Sequence, residues 1–129
     1  MEMKKHSHVV YIVTIFCLLI FTSGTSAQDK RIIRIAKIKI EPTYLEAYRI
    51  AVKEQIETAV RVEPGVLTLY AVNDKEVPTN ITVFEIYADT AAYQSHLQTA
   101  HFKKYKTETA HMVKSLELID VSAIELRTK

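Results

Sequence analysis

The chain has 129 residues, a formal net charge of +2 at pH 7 and a single cysteine. This balance does not favour nucleic acid as a partner, because nucleic-acid-binding domains usually carry a basic stripe. The length fits one small domain, for which the surface buried on folding is modest and association with a second copy adds stability.

The first 27 residues have the pattern of a signal peptide. Two lysines precede an apolar run of 13 residues, 9–21, and a stretch of small residues ends at Ala27. This arrangement favours cleavage before Gln28. A retained transmembrane anchor is the competing interpretation, but a helix that crosses a bilayer needs about 20 apolar residues. We therefore expect an exported chain, periplasmic or secreted, without membrane attachment after cleavage.

The expected mature domain, residues 28–129, is nearly neutral and has no thiol. Removing the leader's two lysines and one glutamate leaves 15 basic and 14 acidic residues, a net charge of +1. The leader also contains Cys17, the only cysteine. The mature domain can therefore form no disulfide, and it has no thiol nucleophile or thiolate metal ligand.

The mature domain begins with a predicted strand and a predicted helix. Residues 31–40 are rich in isoleucine, which favours a strand, and Pro42 ends it because proline cannot extend the hydrogen-bonded ladder. Thr43 and Glu46 have the spacing of a capping box, which predicts the start of the helix. Apolar residues then recur at helical spacing, at Leu45, Tyr48, Val52, Ile56 and Ala59.

A tight turn and a hairpin follow the helix. Pro64 restricts φ and Gly65 permits a positive φ, so the segment 63–65 predicts a turn. Residues 66–72 and 81–87 have the β-branched and aromatic composition of strands. The polar loop between them makes a hairpin the economical interpretation.

Two short helical segments and a last strand complete the chain. Asp89 is a candidate N-cap for the first segment, and Thr99 starts the second. One face of the second segment contains Phe102, Tyr105, Thr109, Met112, Val113 and Leu116. Residues 118–126 supply the fourth strand. The order predicts an α+β fold of the ferredoxin-like βαββαβ type, with helices on one face of an antiparallel sheet.

The strands lack the strict alternation of polar and apolar residues that a sheet with one wet face should have. In the second strand Leu67, Leu69 and Ala71 oppose Val66, Tyr70 and Val72, and in the third Val83 and Tyr87 oppose Phe84 and Ile86. Helices cover one face only, so we predict that the other meets a second subunit in a two-fold homodimer. The alternative, a monomer, would expose an apolar patch of the kind that soluble proteins avoid.

Three segments resemble the antibiotic biosynthesis monooxygenase family. They are the turn 63–65 before a strand that reaches Tyr70, the strand segment 84–87, and residues 92–105, which contain the pattern His-x-x-Thr-x-His-Phe. The resemblance extends over about residues 32–122. It implies a dimeric α+β barrel that oxidises a small aromatic or quinol substrate with O2, without a bound cofactor, in a pocket between the helices and the sheet.

His96 and His101 are the candidate catalytic residues. Imidazole shuttles protons near neutral pH, so either ring could assist removal of a phenolic proton before O2 attacks. Five residues place the two rings about 140° apart on a continuous helix, and we expect Thr99 to interrupt that helix, which disfavours zinc of the two-histidine helical kind. We therefore predict no metal. A structural role at the helix junction is the alternative for each histidine.

Tyr70, Glu85 and Tyr87 are the candidate substrate-binding residues. A buried Glu85 must be paired or have a raised pKa, and an ion pair with Arg34 or Lys37 is its alternative role. The two tyrosines could flank an aromatic ligand or bond a quinol oxygen. Their alternative is to fill the core with the hydroxyl satisfied.

The leading hypothesis is a cofactor-independent monooxygenase whose deprotonated substrate itself reduces O2 in a dry pocket. A non-enzymatic small-ligand-binding or stress-related dimer of the same fold is the alternative, because a fold does not determine a function. Haem degradation by related dimers requires a pocket tryptophan, and this chain has no tryptophan. Oxygen consumption distinguishes the first two hypotheses.

Overall fold

A computed structural model of the chain describes residues 28–129, and the predicted signal peptide lies outside the described residues. The elements are β1 (Ile32–Ile40), a 3-10 turn (Pro42–Tyr44), α1 (Leu45–Val62), β2 (Val66–Asn73), β3 (Asn80–Tyr87), α2 (Thr90–Gln98), α3 (Ala100–Thr109), a second 3-10 turn (Ala110–Met112) and β4 (Val113–Val121). This sequence of elements confirms the predicted order. Between residues 28 and 129, no helix is both long and apolar enough to cross a membrane.

The four strands form one antiparallel sheet in the order β2-β3-β1-β4. Side chains from β1 and β3 pack against α1, where Tyr48 is fully buried and Val52 nearly so. A second apolar cluster joins Ala59 of α1 to Val66, Leu69 and Tyr87 of the sheet. The predicted ferredoxin-like fold, with helices on one face of the sheet, is therefore confirmed.

The predicted capping box at the start of α1 is wrong. Pro42 opens a 3-10 turn that already contains Thr43, and α1 starts only at Leu45, without a side-chain cap. An N-cap side chain acts from an extended residue just outside the helix, and Thr43 lies inside the turn. Glu46 instead pairs with Arg49, at 2.8 Å.

The predicted break between the last two helices is confirmed. Asp89 caps α2 by accepting a hydrogen bond of 2.8 Å from the backbone N–H of Ala92. Thr99 has extended backbone angles, ends α2, and caps α3 by accepting from the N–H of Phe102. Each such cap typically stabilises a helix by about 1 kcal/mol.

The fourth strand starts five residues earlier than predicted. Residues 113–116 were predicted to continue the helix, because Val113 and Leu116 fall at helical spacing from Thr109. In the structure α3 ends at Thr109, and Val113 already pairs with Ile40 of β1. Pairing with the central strand therefore overrides the local periodicity.

A register shift in β2 changes which residues face the helices. The shift lies between Val66 and Thr68, so Val66 stands opposite Tyr87 and is buried on the helix side. Leu67 is exposed. The predicted grouping of Val66 with Tyr70 and Val72 is therefore wrong, because one extra residue at a bulge moves its neighbours to the other face.

The sheet face that points away from the helices is apolar at one end only, because its other end carries polar residues such as Lys37, Thr82 and Glu117. One cross-strand row runs over all four strands and consists of Tyr70, Phe84, Ile35 and Ile119, and a neighbouring row contains Ile86, Ile33 and Val121. Tyr70 is 61% exposed and Val72 on the same face is 62% exposed. We call the two rows together with Val72 the outer face.

Gly65 is required because its position leaves no room for a Cβ atom. The predicted turn is present, but neither Gly65 nor any other residue that the structure describes has a positive φ. A Cβ built on Gly65 would lie 2.4 Å from the Cβ of Ala92. The backbone of Gly65, in the turn after α1, therefore lies directly against the side chain of Ala92 in α2. Only glycine, which has no Cβ, allows this approach.

Candidate active site

A cavity of about 460 Å³ lies between the sheet and the helices. Its wall is mostly apolar and includes Ala36, Ile38, Val52, Leu69, Val83, Leu97, Leu116 and Leu118. Aromatic rings and a few polar groups complete it, from Arg34, Gln55, Glu85, Tyr87, Tyr93, His96, Phe102 and Tyr105. A cavity of this size and lining is typical of small-molecule sites.

His96 lies in the last turn of α2 and forms part of the cavity wall. Its side chain is only 2% exposed and its ring lies 4.6 Å, centroid to centroid, from that of Phe102. Nε2 of His96 is 3.4 Å from the amide nitrogen of Gln55. Burial lowers the pKa of His96, and this effect exceeds the opposing influence of Glu63. Burial therefore favours the neutral form of the His96 imidazole at the cavity wall.

Glu63 links the two predicted catalytic histidines. Its carboxylate lies 2.9 and 3.1 Å from Nδ1 of His96, and one oxygen lies 2.5 Å from Nε2 of His101. His101 does not line the cavity but borders a shallow surface depression beside the turn 63–65. The structure therefore brings both histidines together, with only His96 at the cavity.

Thr99 interrupts the helix between the two histidines, as predicted, and the two rings lie 6.3 Å apart, centroid to centroid. The coordinating atoms of Glu63, His96 and His101 all lie within 4.8 Å of one another, close enough to be considered as metal ligands. Ligands at zinc distances of about 2.0–2.1 Å are roughly 3.3 Å apart around a tetrahedral ion. The Glu63 oxygens lie 2.5 to 3.1 Å from the two imidazole nitrogens, which are the distances of hydrogen bonds.

Glu85 and Tyr87 both lie on the cavity wall, as predicted. The Tyr87 hydroxyl donates to Glu85 at 3.1 Å. Burial raises the pKa of Glu85, opposed by this hydrogen bond and by the charge of Arg34. Burial and the neighbouring carboxylate also raise the pKa of Tyr87, which keeps its phenol protonated. This pair offers polar contacts to a ligand on a mostly apolar wall.

The ion pair predicted for Glu85 is absent among residues 28–129. Arg34 stands opposite Glu85 in the β1–β3 register, but its guanidinium pairs with Asp120 of β4, at 2.7 Å. It also donates to the hydroxyl of Tyr93. Lys37 is exposed and, by strand alternation, lies on the other face of the sheet from Arg34.

Two tyrosines of the helices also belong to the cavity wall. They are Tyr93 of α2 and Tyr105 of α3. The hydroxyls of Tyr105 and the buried Tyr48 share a hydrogen bond of 2.6 Å. Burial raises the pKa of both phenols, so neither can act as a base near neutral pH.

Tyr70 is not part of this cavity. It points to the outer face of the sheet and is 61% exposed. Strand alternation explains the difference, because Leu69 and Tyr70 are neighbours and only Leu69 can face the helices. The structure therefore gives no support to Tyr70 as a ligand contact within this cavity.

Sequence reasoning missed Glu63 and Gln55 as site residues. Glu63 follows Ala59 by four residues, so a polar group continues the apolar stripe of α1. Gln55 lies on the buried side of the same helix. A polar residue on an apolar helical stripe is the signal that could have found both, because a buried polar group needs a partner.

Comparison with known proteins places the chain in a family. A model of the family described as antibiotic biosynthesis monooxygenase matches residues 31–108. A solved structure from Bacteroides thetaiotaomicron, described as a candidate antibiotic biosynthesis monooxygenase, is 51% identical with a TM-score of 0.76, and the match covers 78% of this chain and 97% of that chain. No curated protein matches the sequence.

Two further structures are more distant. A candidate monooxygenase from Lactobacillus acidophilus is 33% identical with a TM-score of 0.69, and the match covers 71% of this chain but only 44% of that chain. A candidate antibiotic biosynthesis monooxygenase from Nitrosomonas europaea is 19% identical with a TM-score of 0.70, covers 75% of this chain and 93% of that chain, and supports the fold alone. The family model and the Bacteroides structure together show that this chain belongs to the antibiotic biosynthesis monooxygenase family.

Proposed function

We propose that the protein is a cofactor-independent monooxygenase that oxidises a small, electron-rich phenol or quinol with O2. The observation that carries the proposal is the apolar and aromatic cavity with a single buried, neutral imidazole, that of His96, on its wall. Family membership supports the reaction class. The cavity volume of about 460 Å³ suits a ligand of one to a few rings.

In the proposed reaction His96 removes a phenolic proton from the bound substrate. The resulting phenolate is electron-rich and supplies the electrons that O2 requires, so the protein contributes a base and a pocket that excludes water. A quinol and one O2 then give a hydroxyquinone and one water, with one oxygen atom entering the ring. Tyr87, Tyr93 and Phe102 line the pocket as ring contacts for an aromatic substrate.

The other side chains around the cavity favour His96 as the group that accepts the substrate's proton. The pKa values of Tyr48, Tyr87 and Tyr105 are all raised by burial, so these phenols remain hydrogen-bond donors. Glu85 is the competing base on the wall, and its hydroxyl partner Tyr87 occupies one of its oxygens. Arg34 adds a positive charge that favours a bound phenolate.

Oxygen uptake by the purified protein tests the proposal. A panel of hydroquinones, catechols and simple phenols should include a substrate that consumes one O2 per molecule and yields no hydrogen peroxide. Fluorescence titration of the same panel measures binding separately. Saturable binding without oxygen uptake for any member would contradict the proposal and favour a ligand-binding dimer.

We also propose a two-fold homodimer formed through the outer face. The support is the apolar row that crosses all four strands, in which Tyr70 at the edge is 61% exposed in the single chain. A Tyr70→Glu variant should weaken the dimer, because a charge would be buried without a partner. Sedimentation velocity at micromolar concentration measures the shift to monomer.

The matched control for the dimer experiment is Ile50→Glu, on α1. Ile50 is 69% exposed and lies away from the outer face. This variant should sediment as the parent does. A parent protein that is a well-folded monomer at micromolar concentration would contradict the dimer.

The proposed enzyme is exported, and residues 1–27 are removed on the way. The support is the leader pattern in the sequence, with its apolar run of 13 residues. The intact mass of the exported protein should correspond to a chain that begins at Gln28. A mass that retains the leader would contradict cleavage and favour a membrane anchor.

A further inference from the structure

We infer that Glu63 determines the tautomer of His96, holding its proton on Nδ1 so that the lone pair of Nε2 faces the cavity. Glu63 is thereby a positioning residue for the base of the proposed reaction. The catalytic part of this inference rests on the proposed function. The tautomer itself follows from hydrogen bonds and can be tested without any activity.

The tautomer follows from which groups can donate. A carboxylate can only accept, and both oxygens of Glu63 lie within 3.1 Å of Nδ1 of His96. A neutral His96 must therefore carry its hydrogen on Nδ1. On the other side of the ring, the amide nitrogen of Gln55 lies 3.4 Å from Nε2 and can only donate. Both neighbours thus assign the lone pair to Nε2, and the long contact of 3.4 Å with Gln55 holds that lone pair only weakly.

His101 completes the arrangement from the surface side. Its Nε2 lies 2.5 Å from the same Glu63 oxygen that bonds His96, so the carboxylate accepts from two imidazole rings. The Glu63 side chain is 11% exposed and that of His101 is 19% exposed. His101 therefore shields the carboxylate from water and holds it in place opposite His96.

Glu63 stabilises the protonated form of His96 in addition to orienting its ring. When His96 takes a proton from a phenol it becomes an imidazolium, and the carboxylate of Glu63 already lies in contact with its Nδ1. A charge-assisted hydrogen bond in a buried site stabilises that cation. The same division of labour between carboxylate and imidazole operates in hydrolase triads.

A Glu63→Gln variant tests the inference with little change in shape. The amide has only one acceptor oxygen, which the N–H of His101 holds, so its NH2 turns toward Nδ1 of His96 and the ring proton moves to Nε2. Long-range proton–nitrogen NMR of the 15N-labelled protein, recorded at a pH where the rings are neutral, should show a protonated Nδ1 on His96 in the parent. The variant should show a protonated Nε2, and oxygen uptake should fall roughly 10²–10⁴-fold in kcat with KM little changed.

The matched control is Glu57→Gln, on the exposed side of the same helix, where the Glu57 side chain is 66% exposed. It should leave the NMR signals and the activity unchanged. A parent His96 with its proton on Nε2, or a Glu63→Gln variant with an unchanged tautomer, would overturn the inference. So would tight binding of one equivalent of Zn²⁺ that shifts both histidines, since the three groups would then be a metal site.

The NMR readout also separates this inference from the proposed function. If no substrate consumes O2 but the ring proton still moves in Glu63→Gln, the tautomer assignment stands and the oxygenase proposal fails. If oxygen uptake is found and Glu63→Gln keeps both the tautomer and the rate, the oxygenase proposal stands and Glu63 has no positioning role.

Discussion

A His96→Asn variant should consume O2 roughly 10²–10⁴ times more slowly than the parent protein, the range that removal of a general base usually gives. The asparagine amide can replace Nδ1 as the donor to Glu63, so the hydrogen bond at the buried end of the site is kept. The variant lacks the Nε2 lone pair at the cavity. Oxygen-electrode measurements of kcat and KM, with a thermal melt to confirm folding, test this expectation.

The companion variant is Glu85→Gln, because Glu85 is the other candidate base on the cavity wall. Its raised pKa and its hydrogen bond with Tyr87 favour a binding role, which glutamine can largely fulfil. We therefore expect less than about a tenfold change in kcat. A larger loss in Glu85→Gln than in His96→Asn would assign the base to Glu85 and contradict the role of His96.

The pH dependence of the parent's rate provides an independent check. Burial holds the pKa of His96 below its ordinary value of 6.5, helped by His101 on α3 and opposed by Glu63 at the end of α1. The ring of Tyr87, on β3, lies 5.3 Å away and stays neutral. The rate should be level around pH 7 and fall only below the lowered pKa, as His96 becomes protonated. This acid limb should be missing from the residual activity of His96→Asn.

Replacing Gly65 by alanine should give the largest loss of stability among single-methyl changes in the turn. The added Cβ would lie 2.4 Å from the Cβ of Ala92, which is well inside van der Waals contact. Overpacking of this kind typically costs about 1–3 kcal/mol. Urea unfolding followed by circular dichroism measures the change in the free energy of unfolding.

A second substitution shows whether the contact is the cause. Ala92→Gly removes the opposing Cβ, at a cost of up to about 1 kcal/mol in a helix. The double variant Gly65→Ala, Ala92→Gly should nevertheless be more stable than Gly65→Ala alone, since the two changes relieve one clash. Simple additivity of the two losses would contradict this explanation of the glycine.

The contact between Gly65 and Ala92 also positions Glu63 in the candidate active site. The segment 63–65 leaves α1 and passes directly against α2, and the carbonyl of Gly65 accepts from the N–H of Ala88 at 2.9 Å. Glu63 is thereby held where its carboxylate meets His96. A bulkier residue at position 65 would separate the two helices, so stability and activity should fall together in Gly65→Ala.

The fold could be predicted from local patterns because each element carries its own signal. Isoleucine density in β1, the helical stripe of α1 and the caps Asp89 and Thr99 act over a few residues, and all are seen in the structure. Prediction failed where two signals competed. Val113 and Leu116 fit a helical period and an apolar strand equally well, and pairing with β1 decided for the strand.

The candidate site could be predicted only in part. His96, Glu85 and Tyr87 were identified by chemistry and context, and all three lie at the cavity. Tyr70 lies outside the cavity, because it follows Leu69, which faces the helices, and strand alternation directs Tyr70 to the outer face. Glu63 belongs to the predicted turn, and its place on the α1 stripe signals a buried polar group without indicating a partner 33 residues away.

The sequence by itself determined the order of elements, the apolar stripe of α1 and the presence of a histidine in the segment that becomes α2. These are properties of residues and of their near neighbours, which the chain carries in any conformation. Tertiary structure alone decided that Glu63 joins His96 to His101, that Arg34 turns to Asp120, and that Gly65 is needed for space. Each of these depends on a distance between segments far apart in the chain, and such distances exist only once the helices have packed on the sheet.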